Sequence, residues 1–243
     1  MYNVVITAGG TSEKIDNVRK ITNSSTGKLG SVIAERMLIS QGDKIDKIYF
    51  VCSKNSVRPV GDKIEIVEIV DTNDLEFTVR KLLTENKVDH FIHSMAVSDY
   101  TVDYVTTAEN LASSIECNKG DILGTICNHN LKLTDDKISS YHENLIIKLK
   151  QTPKIISMIK AVSPSTNLVG FKLLDSVSEA ELINTAIKLK EKNTCNLVVA
   201  NDLNNIRNGN HKAFILKSID DYIVASGKED IADKLIKEIM KND

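Results

Sequence analysis

The sequence has no tryptophan and only three prolines in 243 residues, and no apolar run in it approaches the roughly 18–20 residues that a membrane-spanning helix needs. It also lacks an excess of either charge. Its 31 basic residues face 33 acidic ones, which leaves no electrostatic case for nucleic acid or an anionic membrane as partner. Cysteine is sparse: Cys52, Cys117, Cys127 and Cys195 include no CxxC pair and follow no secretory leader, the pattern of reduced thiols in a cytoplasmic protein. Neither an internal repeat nor a low-complexity segment occurs. With 42% hydrophobic residues this is an ordinary globular chain, long enough for one large α/β domain or two small ones.

What is present is an alternation of strand and helix patterns, which predicts a parallel sheet with helices on its faces. Strands are expected at Val4–Thr7, Ile48–Val51, Ile64–Val70, Val88–Ser94, Leu145–Leu149, Asn167–Leu174 and Leu197–Ala200, with a hairpin from Ala213–Lys217 and Asp221–Ala225. Helical spacing runs from Lys28 to Gln41, from an Asp71-Thr72 cap to Glu85, from Ser178 to Lys192 and from Ile231 to Met240, and Pro153 marks another helix start. Residues 101–140 break the pattern. They are polar, with no strong period, and read as a flap or lid on the single domain 1–243.

The stretch that organises the chain lies near its start. Asn3-Val4-Val5-Ile6 leads into Gly9-Gly10, and a small, hydroxyl-rich cluster, Asn23 to Gly30, precedes the first helix. A strand emptying into glycines and then a helix N-terminus suits an anion, because unpaired N–H groups and the helix dipole face it. Two phosphate motifs fail on spacing. A Walker loop needs glycine where Thr22 stands and Ser or Thr where Leu29 follows Lys28. The GxGxxG fingerprint is absent, and the acidic ribose partner expected after the second strand is replaced by Cys52-Ser53-Lys54. A nicotinamide-dependent Rossmann-type reductase is therefore the weaker reading of the sheet pattern.

Other residues are ambiguous by themselves. His90 and His93 lie three apart on a strand and point to opposite faces, so they cannot grip one metal ion. Asp99 follows a strand's carboxyl end, where open α/β sheets place ligands; it suits magnesium, a substrate hydroxyl or a helix N-cap. Lys188 and Lys192 share a helix face, which a solvated surface would also show.

Taken together, the pieces resemble one family. Gly9-Gly10-Thr11, Glu13, Ile15-Asp16, Val18-Arg19, Ile21, Asn23, Ser24-Ser25, Gly27-Lys28 and Gly30 resemble the opening signature of phosphopantothenoylcysteine synthetase, also called phosphopantothenate–cysteine ligase. Ala96-Val97-Ser98-Asp99-Tyr100, Lys137-Ile138, Thr152-Pro153, Gly170-Phe171 and Val199-Ala200-Asn201-Asp202 follow in the right order. The resemblance covers nearly all of the chain outside 101–136.

The resemblance implies a doubly wound, mostly parallel α/β sheet and a role in coenzyme A biosynthesis. The carboxylate of 4′-phosphopantothenate is activated by a nucleoside triphosphate with Mg2+, and the amine of L-cysteine displaces the nucleotide monophosphate. It assigns Asn23 to the activated acyl group and Lys137 to the triphosphate. Gly9, Gly10, Ser25, Gly27, Gly30, Phe171 and Asn201 fall to the nucleotide, as does the backbone of Pro153, Lys154, Ile155 and Ile156. Lys188 and Lys192 match two further nucleotide-binding lysines once a gap is allowed near Asn196. Ala96 and Asp99 match substrate- or metal-linked positions, and Arg19 one that reaches a neighbouring subunit's substrate, implying a homodimer. The likeness is to the stand-alone bacterial type, which favours CTP over ATP, a separate decarboxylase protein as pathway neighbour, and no flavin. The sequence departs from the pattern at Met95, where alanine is usual, at Ser139-Ser140, where lysines are usual, and in the length of 101–136.

Overall fold

The computed structural model describes residues 1–118, 120–128, 132–133 and 136–242. Strand β1 (Tyr2–Ala8) is followed by a small hairpin of β2 (Ser12–Lys14) and β3 (Lys20–Thr22), and then by α1 (Lys28–Gln41) and β4 (Ile45–Ser53). Next come β5 (Ile64–Ile69), α2 (Thr72–Glu85) and β6 (His90–His93). An excursion carries β7 (Tyr100–Thr107), α3 (Ala108–Cys117), α4 (Ile122–Cys127) and β8 (Leu145–Gln151). The alternation resumes with α5 (Ile155–Val162), β9 (Asn167–Leu174), α6 (Glu179–Lys192), β10 (Leu197–Asp202) and α7 (Leu203–Arg207). The hairpin β11 (Lys212–Leu216) and β12 (Tyr222–Ser226) and helix α8 (Lys228–Ile239) close the chain.

Eight strands form one sheet in the order β12-β11-β10-β9-β6-β1-β4-β5, parallel from β5 to β10 and antiparallel through the last hairpin. Helices α1 and α8 cover one face; α2, α5 and α6 cover the other. Burial on both faces explains why β1 and β10 carry near-continuous apolar runs rather than alternating ones, and why all four residues of β6 are buried. From β1 the chain winds outward through β4 to β5, then crosses back to β6 on the other side of β1 and winds outward again. Connections therefore diverge between β1 and β6, and such a switch point opens a crevice at the strands' carboxyl ends.

Two expectations need correction. Residues 101–140 are not irregular throughout: Tyr100–Thr107 is a strand in an antiparallel ribbon with β8. A bulge between Val102 and Tyr104 and the buried, doubly ion-paired Asp103 interrupt its alternation, which hid it from period-based reading. Residues 119, 129–131 and 134–135 of the expected flap lie outside the described residues. Pro153 does not begin a helix either; Lys154 is the N-cap of α5, so Pro153 lies in the extended approach to it.

Candidate active site

The crevice is assembled on the ends of β1 and β6. Their pairing continues past the sheet: Ala96 N donates to Gly9 O at 2.8 Å, Thr11 N donates to Ala96 O at 3.2 Å, and Gly10 bridges to Ala96. The glycines around it serve close approach. Gly9 has φ +87°, and a Cβ there would lie 2.0 Å from Ser56 Oγ; one on Gly10 would lie 1.8 Å from the Asn23 carbonyl oxygen. At Gly30 a Cβ would lie 2.6 Å from that of Ala8. The space their missing side chains release is filled by the chain itself, not left for a phosphate. They draw the Asn23–Gly30 segment and the Ser53–Ser56 turn onto the end of β1.

The start of α1 has the features that suit an anion. Gly27, at φ +70°, is its N-cap and has no side chain to cap it; Thr26 Oγ1 meets Lys28 N only at 3.4 Å, and no acidic residue sits in the first turn. The N-terminal N–H groups and the positive end of the dipole therefore face the crevice mouth unneutralised, beside exposed Lys28. Ser25 Oγ lies 3.4 Å from Gly27 N, at the edge of hydrogen-bonding range.

Asn23 reaches across the crevice. Its N–H donates to Thr11 O at 3.1 Å and its side-chain amide to Val97 O at 3.0 Å. Because Val97 O only accepts, the contacting Asn23 atom must be Nδ2. Asp99 sits one residue before β7, which removes the helix-cap alternative for it. Its carboxylate, 70% exposed, pairs with Lys154. Thr152 Oγ1 donates to Ser98 O and Thr152 N to Asp99 O, so the 96–99 and 152–154 segments form one wall. Ile155 is buried core, and the Ile156 side chain packs toward Gly170; their side chains are turned inward.

Asp16 joins Arg19 to the Ile138 backbone, next to Lys137. The Arg19 guanidinium donates through Nε and Nη2 to Asp16 Oδ2, at 3.0 and 2.6 Å, and through Nη2 to Ile138 O. Ile138 N donates to the same carboxylate and Asn17 N to Asp136 O, so the β2–β3 turn holds the 136–138 segment, in which Lys137 is exposed. The Arg19 side chain and these N–H groups hold the Asp16 carboxyl far below the usual range. Arg19 stays 41% exposed. A cleft of about 280 Å³ lies here between hairpin and ribbon, lined by Lys14, Asp16, Tyr104 and Lys132 among others.

Farther along the sheet edge, Phe171 is half-buried on the α1 side of β9, and buried Asn201 donates to Lys212 O at 3.3 Å near the end of β10. Lys188 and Lys192 are not brought here. Helix α6 runs from the carboxyl end of β9 to the amino end of β10, and its last turns sit beside Leu168, where Asn196 N bonds. Lys188 is about 14 Å along α6 from its start and Lys192 is at its far end. Within this chain they therefore lie toward the amino ends of the strands, away from the crevice. A cleft of about 230 Å³ at the amino end of β9 offers no substitute site, since its Lys217 and Lys241 both face the buried Glu238 carboxylate.

Sequence reading passed over the polar residues that hold the crevice together. Thr11 Oγ1 donates to Ser98 Oγ at 2.9 Å and accepts from Ser98 N, while Thr72 donates N–H and O–H to the buried Glu13 carboxylate. Thr11, Glu13 and Ser98 lay inside the recognised motifs, but only the fold could pair them. The two buried thiols are not activated. Burial pushes the Cys195 thiol up to about 11 and raises that of Cys52.

The family model described as the DNA/pantothenate metabolism flavoprotein C-terminal domain matches residues 1–132 and 126–242. The Coenzyme A biosynthesis bifunctional protein CoaBC of Thermococcus kodakarensis is 30% identical over 240 residues, 98% of this chain and 51% of that protein. Its counterpart in Methanocaldococcus jannaschii is 25% identical, over 98% of this chain and 50% of that protein. The chain thus spans about half the length of these curated relatives. The solved structure of the DNA/pantothenate metabolism flavoprotein from Streptococcus pneumoniae superposes with a TM-score of 0.86 at 36% identity, covering 100% of both chains. A Cab2 mutant in complex with phosphopantothenate-cysteine shares the fold at a TM-score of 0.70 and 18% identity, covering 99% of this chain and 87% of that one. The chain belongs to the family of the DNA/pantothenate metabolism flavoprotein C-terminal domain.

Proposed function

We propose that this chain is a phosphopantothenate–cysteine ligase acting in coenzyme A biosynthesis. The observation that carries the reading is one crevice at the switch point. There the uncapped start of α1, the Asn23 amide and the Asp99–Lys154 pair converge without any protein nucleophile. Family membership supports it, as do relatives named for coenzyme A biosynthesis and a fold neighbour that holds phosphopantothenate-cysteine. The reductase alternative has no such support, and β4 ends on Ser53, bonded to Ser56, where a ribose-binding carboxylate is needed.

A carboxylate is a poor electrophile. One of its oxygens attacks the α-phosphorus of a nucleoside triphosphate, pyrophosphate leaves, and an acyl nucleotide remains. The amine of cysteine then attacks the acyl carbon, the amide bond forms, and the nucleotide monophosphate departs. The protein's part is positioning and charge neutralisation. The α1 N-terminus and Lys28 receive phosphate oxygens, with Lys137, in the segment bonded to the neighbouring hairpin, as a further cation. Asn23 spends one side-chain N–H on Val97 O, which leaves its second for the acyl oxygen as charge develops there.

Magnesium fits this donor set as an ion held chiefly by the triphosphate. Among the described residues no group of three or more His, Cys, Asp or Glu could hold a metal, and Asp99 supplies one carboxylate. Bound there, the ion would offset triphosphate charge. CTP is the favoured nucleotide, and the steps are redox-neutral, so no flavin is needed. A decarboxylase is the pathway neighbour. No described helix is long and apolar enough to cross a membrane, and a cytoplasmic setting suits the substrates. The described residues of the 101–140 stretch serve as a flap on the crevice. A homodimer belongs to the same reading, because the excursion exposes Ile122, Leu123 and Tyr141 while Arg19 stays half-exposed beside it. Sedimentation should give twice the 26.9 kDa of the chain; a monomer at micromolar concentration would remove Arg19 from a partner's site.

The direct test incubates the protein with 4′-phosphopantothenate, cysteine, Mg2+ and CTP or ATP, and follows pyrophosphate. Release that requires phosphopantothenate is expected, faster with CTP. No release with either nucleotide would refute the ligase.

A further inference from the structure

We propose that Thr11 and Ser98 are positioning residues for Asn23, and that their hydroxyl contact sets the orientation of its reactive amide. The inference rests on the ligase reading for its chemistry but on geometry for its substance.

Asn23 is exposed and follows a three-residue strand, so little packing holds it. Its two anchors belong to different loops: Thr11 O in the turn after β1, and Val97 O in the segment after β6. The side-chain amide can keep one orientation only if those carbonyls keep a fixed separation and tilt. Main-chain pairing fixes the near side. Thr11 N on Ala96 O is the last main-chain bond between the two loops, so Val97 lies beyond the ladder.

The far side is held at Ser98 by one hydroxyl. Thr11 Oγ1 accepts from Ser98 N at 2.9 Å and donates to Ser98 Oγ at 2.9 Å. Thr11 has no exposed surface and Ser98 has 7%, so water does not readily replace either contact. The Val97 carbonyl is thus bracketed between a ladder bond at Ala96 and a hydroxyl bond at Ser98, and Asn23 hangs from the bracketed group. The Ser98 carbonyl also accepts from Thr152 Oγ1, which joins the bracket to the segment leading into α5. Glu13 and Thr72 back the arrangement: Thr72 Oγ1 sits 2.8 Å from Glu13 Oε1 and 3.4 Å from Thr11 Oγ1. Valine at position 11 would keep the shape of threonine and delete only the hydroxyl. The start of α1, where the triphosphate is expected, would be untouched.

The test compares wild type with Thr11→Val, Thr11→Ser, Asn23→Ala and the double variant Thr11→Val/Asn23→Ala. One arm needs no turnover. The side-chain amide signals of Asn23, identified by their loss in Asn23→Ala, are followed by nitrogen-15 NMR. Thr11→Val should shift or broaden them and speed their hydrogen exchange, and Thr11→Ser should restore the wild-type signals. Unchanged signals in Thr11→Val would overturn the proposal.

The second arm is kinetic. Thr11→Val should lower kcat for acyl-nucleotide formation about 10- to 100-fold, the usual penalty for a small misplacement, with KM for the nucleotide within about threefold. Once Asn23 is alanine, Thr11→Val should cost less than about threefold more. Equal fold losses in both backgrounds would show that Thr11 does not act through Asn23. If wild type itself releases no pyrophosphate, the ligase reading falls while the NMR arm still decides the positioning.

Discussion

His93 shows how burial sets the chemistry of one side chain. It ends β6 buried, with Nδ1 2.8 Å from Thr7 Oγ1, and burial pushes its pKa down from 6.5 to about 4. His90 instead meets the Tyr2 ring edge-on, so the two histidines serve different neighbours, as their spacing on a strand requires. Because the folded-state value of His93 lies below the unfolded one, the unfolded chain takes up the proton first as pH falls. Its contribution to stability is complete above about pH 6.5 and declines down to about pH 4. Lowering the pH from 7 to 5 should therefore remove about 2 kcal/mol through this group alone. Urea unfolding of wild type and His93→Gln at both pH values checks this. The variant should lose less on acidification; equal losses would mean that the ring is not held neutral. Asp16 behaves oppositely in range. Its depressed carboxyl contributes fully above about pH 4, so it leaves the pH 5–7 comparison undisturbed.

At the scale of elements, what could be read in the sequence was what burial on two faces or one helical stripe writes into it. Helix α1 spans the predicted Lys28–Gln41, β9 the predicted Asn167–Leu174, and the caps Asp71 and Ser178 accept from Asp74 N and Glu181 N as their residue types suggest. The hairpin β2–β3 escaped because three-residue strands carry no period, and its position depends on Asp16 and Arg19 meeting Ile138, more than a hundred residues away. Helices α3 and α4 escaped for another reason. They bury almost nothing, Thr125 being the only fully buried residue in either, so no apolar stripe announces them. Among site residues, Asn23, Ala96 and Asp99 were recognisable as motif members, but their convergence depends on β1 and β6 being sheet neighbours despite lying some eighty positions apart. Lys188 and Lys192 show a different limit of sequence reading. A helix face can be predicted from spacing, whereas the end of the sheet it faces follows only from the direction of the crossover.

For the whole molecule, the winding of the sheet decides where ligand energy enters. A triphosphate held at the switch point touches the turn after β1 and the start of α1, which lie in the central layer on which both helical faces pack. Binding there should stabilise the folded chain globally rather than loosen or tighten one edge. At a hundred times its dissociation constant, a ligand specific for the folded state adds about 2.7 kcal/mol. For a chain of this length that raises the unfolding midpoint by roughly 5–10 °C. CTP with Mg2+ should produce this shift at lower concentration than ATP, and NADPH should produce none. On the proposed reading, in which the Asn23 amide addresses the acyl group and the α1 N-terminus the phosphates, Asn23→Ala should keep most of the CTP shift. Differential scanning fluorimetry across a nucleotide series checks each point. A shift with NADPH equal to that with CTP would return the crevice to the dinucleotide-binding class, and loss of the CTP shift in Asn23→Ala would move that residue from the acyl group to the triphosphate.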